Sequence, residues 1–490
     1  MEEVGEVNYV SRPAMSKTPV ISSSTAPKTP GAFSGVQGYL DQVVHLSKVN
    51  PQEDWLPITE SRTGNALYAA FHSLSSGLGF QALLLPLAFA TLGWAWGIIC
   101  LSVAFAWQLY TLWILIQLHE AVPGMRYSRY LQLSMVAFGE KRGKLLALFP
   151  TMYLSGATCV ALIMIGGATM KLLFRLFCEA ASSCNINLLT TIEWYIVFTC
   201  SAVVLAQLPN LNSIAGVSLL GALTAVTYCT LIWTVSVSKG RLATGASDNP
   251  PEPNSDVGRL CWVLNALGII AFAFRGHNLV LEIQGTMPSS EKKPARVPMW
   301  KGVKFAYLVI AMCMYPMAIG GYWAYGNLIP SNGGMLSAMY KHHRHDTAKA
   351  ILVAASVLVI VNCLTSFQIY AMPVFDNLEF KFTSKMQRPC PWWLRTGIRA
   401  FFGCLTFFIS VALPFLPALA GLLGGISLPV TAAYPCFMWI VIKKPPRYGP
   451  SWWFNWVLGG VGMVLSVLLV FGAIWSIAAL GIEIHFFKPK

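Results

Sequence analysis

Long apolar windows alternate with short polar segments along most of this chain. Eleven windows have about the 20 apolar residues needed to cross a hydrocarbon layer of about 30 Å. None alternates with the period of a barrel strand, and a backbone in lipid must satisfy its own hydrogen bonds, so each window predicts a helix. The predicted spans are 65–91, 94–118, 145–174, 192–208, 212–237, 260–284, 302–326, 349–376, 397–416, 420–442 and 454–480.

The composition agrees with a membrane protein and excludes a soluble enzyme of several domains. Charged residues make up 11% of the chain, against about 25% in soluble domains, and the mean hydropathy is +0.58. A net charge of +14 would indicate a nucleic-acid partner only if basic residues formed a patch on a folded aqueous face. They lie instead in short segments between apolar windows. The expected surroundings are a lipid bilayer, with no nucleic acid.

The positions of Lys and Arg predict the orientation. Basic residues are concentrated in 1–62, 119–144, 288–304, 381–399 and 443–447, which all face the cytosol if the N-terminus does. An odd number of spans then places the C-terminus, 485–490, outside. We therefore predict a largely disordered cytosolic tail over 1–60 and a transmembrane domain over 61–484.

Two polar segments contain an apolar helical face. Tyr39, Leu40 and Val43 begin such a face at 38–48 in the tail, and 127–138 repeats the pattern between spans 2 and 3. Each segment predicts a short amphipathic helix beside the bundle.

Two spans are interrupted at corresponding positions. Span 1 contains Ser76-Gly77-Leu78-Gly79 within the run 75–79, and span 6 contains the polar run 271–278. Spans 1–5 (65–237) and spans 6–10 (260–442) form two halves of five, so the second half is inverted, and span 11 (454–480) follows. Small residues can mark close helix packing, but a matched pair of breaks is typical of transporters whose substrate binds between discontinuous helices. The predicted fold is an all-α polytopic membrane protein with 5+5 inverted repeats.

Span 6 also carries titratable groups at membrane depth. Arg275 needs a cavity or a counter-charge, and the candidates are a substrate carboxylate, Glu282 or chloride. Glu282 is about 10 Å along the helix from Arg275, so a direct pair requires a bend. His277 is either a proton relay or a hydrogen-bonded packing residue. We predict that Arg275, His277 and Glu282 act in coupling or gating.

Other polar clusters suggest little chemistry. Cys178 and Cys184 share one predicted external loop, where a disulfide is sterically allowed and the compartment is oxidising. His342, His343 and His345 resemble metal ligands, but a solvated external loop explains them. No Ser/His/Asp, P-loop or paired-Cys pattern is present, so we expect no enzyme, metal or cofactor.

Several Gly-, Pro- and Trp-rich strings identify a family. They are 70–72 through 92–94, 208–217, 272–284, 321–327, 368–373 and 443–445. The chain resembles the plant amino acid/auxin permease family, in its lysine–histidine-transporter-like branch, from about residue 50 onward. The resemblance implies a leucine-transporter-type (APC) fold and proton-coupled amino acid uptake at the plasma membrane. It also implies substrate contacts from spans 1, 6, 3 and 8, which correspond to Ser76, Gly77, Leu78, Gly79, Phe272, Ala273, Phe274, Arg275, Tyr153, Asn362 and Ser366.

The chain departs from the family pattern at two places. Relatives commonly have a small residue where Arg275 stands, and their span 3 tends to carry an acid where 150–155 has none. These departures favour a neutral or acidic amino acid as substrate. An amino-acid sensor, an auxin-like acid as cargo and an endomembrane location are the alternatives. Spans 1 and 8 have no acid at mid-membrane, which favours a proton, although a sodium site built from carbonyl groups stays open.

Overall fold

The computed structural model describes residues 55–59, 62–122, 124–179, 188–208, 215–242, 247, 255–274, 276–330, 333–412 and 416–479. The predicted tail, its helix at 38–48 and the C-terminal segment 485–490 lie outside these residues. Regular structure in the described part is helical throughout. The helices are α1 Ala66–Gly77, α2 Gln81–Leu118, α3 Tyr130–Phe138, α4 Glu140–Cys178, α5 Thr191–Leu205, α6 Ala215–Ser238, α7 Asp256–Ala273, α8 His277–Gly285, α9 Arg296–Tyr325, α10 Gly334–His343, α11 Lys349–Met386, α12 Trp392–Ala412, α13 Leu416–Leu428, α14 Tyr434–Lys443 and α15 Pro450–Ala479.

Within the described residues, nine helices are long and apolar enough to cross a membrane. The helix α2 reverses direction at Gly93, whose φ of 74° only glycine adopts readily, so it supplies the second part of span 1 and all of span 2. The shorter α5 is span 4, and α1 is the first part of span 1. The predicted all-helical fold with about eleven spans is confirmed.

Local sequence explains where several helices begin. Asn65 accepts hydrogen bonds from the N–H groups of Leu67 and Tyr68 at the start of α1. Thr190 and Glu193 form a capping box at the start of α5. Such caps satisfy N–H groups that a helix start leaves without partners. These interactions fix the entry of spans 1 and 4.

Span 10 is irregular in its middle. A π-helical segment, Pro429–Ala433, separates α13 from α14, and such segments are frequent at functional sites. The N-terminal half of span 10 also touches span 6 through backbone, because a Cβ on Gly424 would lie 1.9 Å from the carbonyl oxygen of Gly268. Larger residues at either position would separate the two spans.

Two helices lie between spans. The predicted short helix after span 2 is present as α3. The interpretation of 342–345 as a solvated loop is wrong in part, because α10 ends at His343 and that side chain is buried with its ring 5.5 Å from Tyr325. Arg344 forms an ion pair with Glu179, which ties α10 to the end of span 3.

Candidate functional site

The helix of span 1 is broken near its middle. The first part, α1, ends at Gly77, and Leu78 is extended with φ −119° and ψ 121°. The chain becomes helical again at Gln81, whose side chain donates a hydrogen bond to the carbonyl of Gly77 at 2.8 Å. The break predicted at 76–79 is partly misplaced, because Ser76 and Gly77 are helical and the break covers 78–80. Leu78 and Gly79 are buried within it.

The helix of span 6 is broken at the matching position. The first part, α7, ends at Ala273, and Phe274 leaves the helical region with φ −106° and ψ 56°. The second part, α8, begins at His277 without a side-chain cap. The interruption is therefore shorter than the predicted 271–278. Arg275 lies outside the described residues, so its role stays a prediction.

Aromatic side chains fix the walls around both breaks. The rings of Phe272 and Phe80 are 5.8 Å apart, which joins span 6 to the break in span 1. The ring of Phe274 meets Phe105 of span 2 edge-on, also at 5.8 Å. Both phenylalanines of span 6 are buried. In this conformation their rings therefore fill the space around the two breaks.

The two breaks lie against one another across a small cavity. A Cβ on Gly276 would lie 3.7 Å from the hydroxyl oxygen of Ser76. The cavity has room for about one water molecule, so the conformation is closed around the site. Of the predicted substrate contacts, Ser76 and Gly77 line it. Sequence reasoning missed the other lining residues, which are Ser73, Leu112, Gly276, Val280, Ile283 and Tyr307.

Span 8 contacts the last turn of α1, just before the break, through side-chain hydroxyls. Tyr370 donates a hydrogen bond to the carbonyl of Ser76, and Ser366 donates to the carbonyl of Ser75 at 3.4 Å. Asn362 reaches span 5 instead, where its amide donates to the carbonyl of Gly221 at 2.9 Å. The predicted contact Ser366 therefore touches span 1, whereas Asn362 joins two spans.

Two residues show the limits of placing contacts by span position. Tyr153 stacks its ring on Phe149 at 5.8 Å and is not among the residues lining the cavity. Tyr370 was not predicted, although it stands in one of the family strings. A buried tyrosine hydroxyl needs a hydrogen-bond partner. That requirement was the one indication in the sequence that Tyr370 could contact a neighbouring span.

Removing the Tyr370 hydroxyl is expected to weaken transport. Tyr370→Phe deletes one buried hydrogen bond to the last turn of α1, which is worth about 1 kcal/mol, or about fivefold in rate if the bond supports the transporting geometry. The measurement is uptake per molecule of protein in reconstituted vesicles. Tyr110→Phe is the matched control, because that hydroxyl bonds to Asn455 between spans 2 and 11. Equal uptake by the two variants would contradict a role for Tyr370 at the site.

His277 belongs to a buried hydrogen-bond network. Its Nε2 lies 2.9 Å from the hydroxyl of Thr111 and 3.0 Å from the carbonyl oxygen of Gln108. Because a carbonyl only accepts, we assign the proton to Nε2. The Gln108 side chain continues to Thr431 in the π-helical segment at 3.3 Å. The network connects spans 2, 6 and 10.

A buried ionic cluster lies at the predicted cytosolic ends of spans 6 and 8. The Nε of Arg129, just before α3, is 2.5 Å from a carboxylate oxygen of Asp376 on α11. Glu282 on α8 is buried close to this pair, because a Cβ on Gly285 of the same helix would lie 2.8 Å from the Cβ of Ser128, the residue before Arg129. Sequence reasoning found Glu282 but missed its neighbours, since Arg129 and Asp376 are 247 residues apart along the chain.

Cys178 is disulfide-bonded. Cys184 lies outside the described residues, so the predicted pairing of these two cysteines stays a prediction. Among the described residues, no group of three or more His, Cys, Asp or Glu side chains could hold a metal ion.

Comparison with known proteins agrees with this architecture. A solved structure described as MhsT in complex with L-phenylalanine matches with a TM-score of 0.55. The match covers 84% of this chain and 99% of that chain at 11% sequence identity, so it shows the fold alone. The fold is the leucine-transporter type that the breaks in spans 1 and 6 indicate.

Sequence comparison shows the family. Lysine histidine transporter-like 8 of Arabidopsis thaliana is 60% identical over 93% of this chain and 87% of its own length. Lysine histidine transporter-like 7 of the same plant is 45% identical over 90% of each chain. Residues 62–479 match the family described as transmembrane amino acid transporter protein. The chain is therefore a multi-pass transporter and not an enzyme, and it belongs to the transmembrane amino acid transporter protein family, in its lysine histidine transporter-like branch.

Proposed function

We propose that this amino acid transporter is a proton-coupled symporter that takes up neutral or acidic amino acids by alternating access. It acts at the plasma membrane, with its N-terminus in the cytosol and its C-terminus outside. The observation that carries the substrate part is the lining of the cavity between the two breaks, which has no charged side chain among the described residues. The ammonium or guanidinium group of a basic substrate would find no carboxylate there.

The start of α8 supports recognition of the substrate carboxylate. Helix N-termini present N–H groups and a partial positive charge, and α8 begins at the cavity without a side-chain cap. Arg275 directly precedes Gly276 in the sequence and adds a cation to this region. A fixed cation repels lysine and arginine and favours neutral or acidic amino acids. The proposal therefore differs from the amino acids in the relatives' names.

Hydrogen bonding around span 1 supports a proton as the coupling ion. A sodium site without carboxylates needs free backbone carbonyls near the break. The carbonyls of Ser75 and Ser76 already accept hydrogen bonds from Ser366 and Tyr370. A sodium ion would have to share these two carbonyls with the hydroxyls. Protonation of a buried carboxyl makes no such demand.

Arg275→Ala tests the substrate class. Wild-type protein in vesicles is expected to take up neutral and acidic amino acids and to be inhibited little by excess lysine. The variant is expected to lose preference for acidic over neutral substrates, because the fixed cation is gone. Uptake is also measured under two separate gradients. One is an inward proton gradient without sodium, and the other is an inward sodium gradient at equal pH. Strong lysine uptake by wild type, an unchanged profile in the variant, or uptake driven by sodium alone would contradict the proposal.

A further inference from the structure

Three buried charged side chains lie near one another at the predicted cytosolic side. Glu282 comes from α8, Asp376 from α11, and Arg129 from the turn before α3. Their exposed fractions are 4%, 0% and 2%. Charges this deeply buried are costly unless they are balanced. The way the three are paired therefore decides which of them can change its charge.

Asp376 already has a full set of partners. Arg129 contacts both of its carboxylate oxygens, with Nε at 2.5 Å and Nη2 at 3.4 Å. The backbone N–H of Ile58, before span 1, also donates to Asp376 at 3.4 Å. The guanidinium and the backbone N–H together satisfy both oxygens of this carboxylate. Arg129 and Asp376 thus form a neutral ion pair.

Glu282 is bound less completely. Its Oε2 is buried and has no hydrogen-bond partner among the described residues. Glu282 also forms no ion pair in the described part of the chain, so its carboxylate would be an excess negative charge in a buried space. A proton on Glu282 removes that excess.

Other titratable groups nearby do not compete for this role. His277, on the same helix, points its Nε2 at the carbonyl of Gln108, and the Tyr130 hydroxyl donates to the carbonyl of Val430 at 2.9 Å. Glu379, one turn beyond Asp376, has its own cation in Arg395 at 3.0 Å. At the end of α2, burial, with help from Arg126 and Arg62, holds the pKa of His119 well below its usual value, so it stays neutral.

We propose that Glu282 binds the transported proton, with the Arg129–Asp376 pair as its fixed counterpart. This inference rests on the proposed proton-coupled function. When Glu282 is protonated, Arg129 stays paired with Asp376 alone, and the predicted cytosolic side stays closed. When the proton passes to cytosolic water, the carboxylate of Glu282 competes with Asp376 for Arg129.

The competition has a mechanical consequence because of where Arg129 stands. Its neighbour Tyr130 binds the π-helical segment of span 10 through its hydroxyl, and Ser128 packs on span 6, where a Cβ on Gly285 would lie 2.8 Å from the Cβ of Ser128. Arg129 itself holds span 8. These three consecutive residues thus join three spans, and competition from a charged Glu282 loosens the contact of Arg129 with span 8. Deprotonation therefore weakens the closure on this side.

Glu282→Gln tests the assignment, because the amide reproduces the protonated acid. In vesicles, wild type is expected to accumulate a labelled neutral amino acid several-fold above equilibrium under an inward proton gradient. The variant is expected to lose this stimulation and to retain exchange of preloaded for external amino acid, since exchange uses only the loaded state. Glu282→Asp keeps a carboxyl and is expected to keep stimulation. Glu120→Gln is the control, because that acid pairs with Arg126 at 3.4 Å, and it should behave as wild type.

The outcomes are distinguishable. Gradient-driven accumulation by Glu282→Gln equal to wild type would overturn the assignment and leave proton coupling intact. A Glu282→Gln protein that fails to fold or to exchange would also overturn it, because the protonated state must be a working state. If wild type itself ignores the proton gradient, the proposed function fails first, and this inference fails with it.

Discussion

Gly77→Leu is expected to reduce uptake at least a hundredfold while the protein still reaches the membrane. Gly77 is the last residue of α1 and lines the cavity between the two breaks. A Cβ there would lie 2.7 Å from the Cδ1 of Ile310, and the rest of a leucine would fill a space with room for about one water molecule. Because substrate must occupy this region, the variant has nowhere to bind it.

Uptake normalised to the amount of membrane protein is the measurement for Gly77→Leu. Gly77→Ala should show a smaller loss, because the tip of Ile310 is flexible and can move. Gly460→Leu is the matched control, since a Cβ at Gly460 meets nothing within 4 Å. Wild-type uptake by Gly77→Leu would remove the substrate site from span 1.

Arg129→Met is expected to lower stability by about 3–5 kcal/mol, because it leaves the carboxylate of Asp376 buried without its cation. Most of the protein should then be lost as aggregate during purification, and the remainder should unfold at a lower temperature. The measurement is the thermal unfolding midpoint in detergent. Arg388→Met is a matched control, because Arg388 lies over the ring of Phe382 at the surface.

A double variant separates the effect of losing the ion pair from the effect of losing the Arg129 side chain. Arg129→Met with Asp376→Asn removes both charges, so it should recover part of the stability that the single variant loses. A single variant as stable as wild type would show that Arg129 is not needed to balance the cluster. The cluster would then be no basis for a proton site.

The hydrophobic pattern was sufficient to predict the spans and the pairing of the two breaks. Apolar length is a direct physical requirement of the bilayer, so the windows predicted helices well. The end points were less accurate, since α11 continues to Met386, ten residues beyond the predicted end of span 8 at 376. The helix extends beyond the apolar window because its last turns carry polar residues, which suit a position outside the lipid.

The limits of the break in span 1 were also misplaced. Glycines at 77 and 79 suggested that the helix ends before Ser76, but the N–H of Leu78 still bonds to the carbonyl of Leu74 at 2.7 Å. Helix propensity is a weak guide when neighbouring spans support a turn. Tyr370 gives such support by holding the carbonyl of Ser76.

The ionic cluster was beyond sequence reasoning for a different reason. Asp376 stands at the end of a predicted span, where a solvated acid is ordinary, and Arg129 stands in the basic segment between spans 2 and 3. Nothing local distinguishes either from a surface charge. Only the fold brings them together, which is why Glu282, isolated in an apolar stretch, was the single member that the sequence singled out.

Proton movement caused by the substrate is the most direct test of proton-coupled amino acid symport. Vesicles containing the protein, a trapped pH dye and no initial gradient of pH or sodium are given an external neutral amino acid. The account predicts acidification of the vesicle interior that depends on the amino acid, is absent from protein-free vesicles, and is lost in Glu282→Gln. Uptake of labelled amino acid by wild type with no change in internal pH would contradict proton symport.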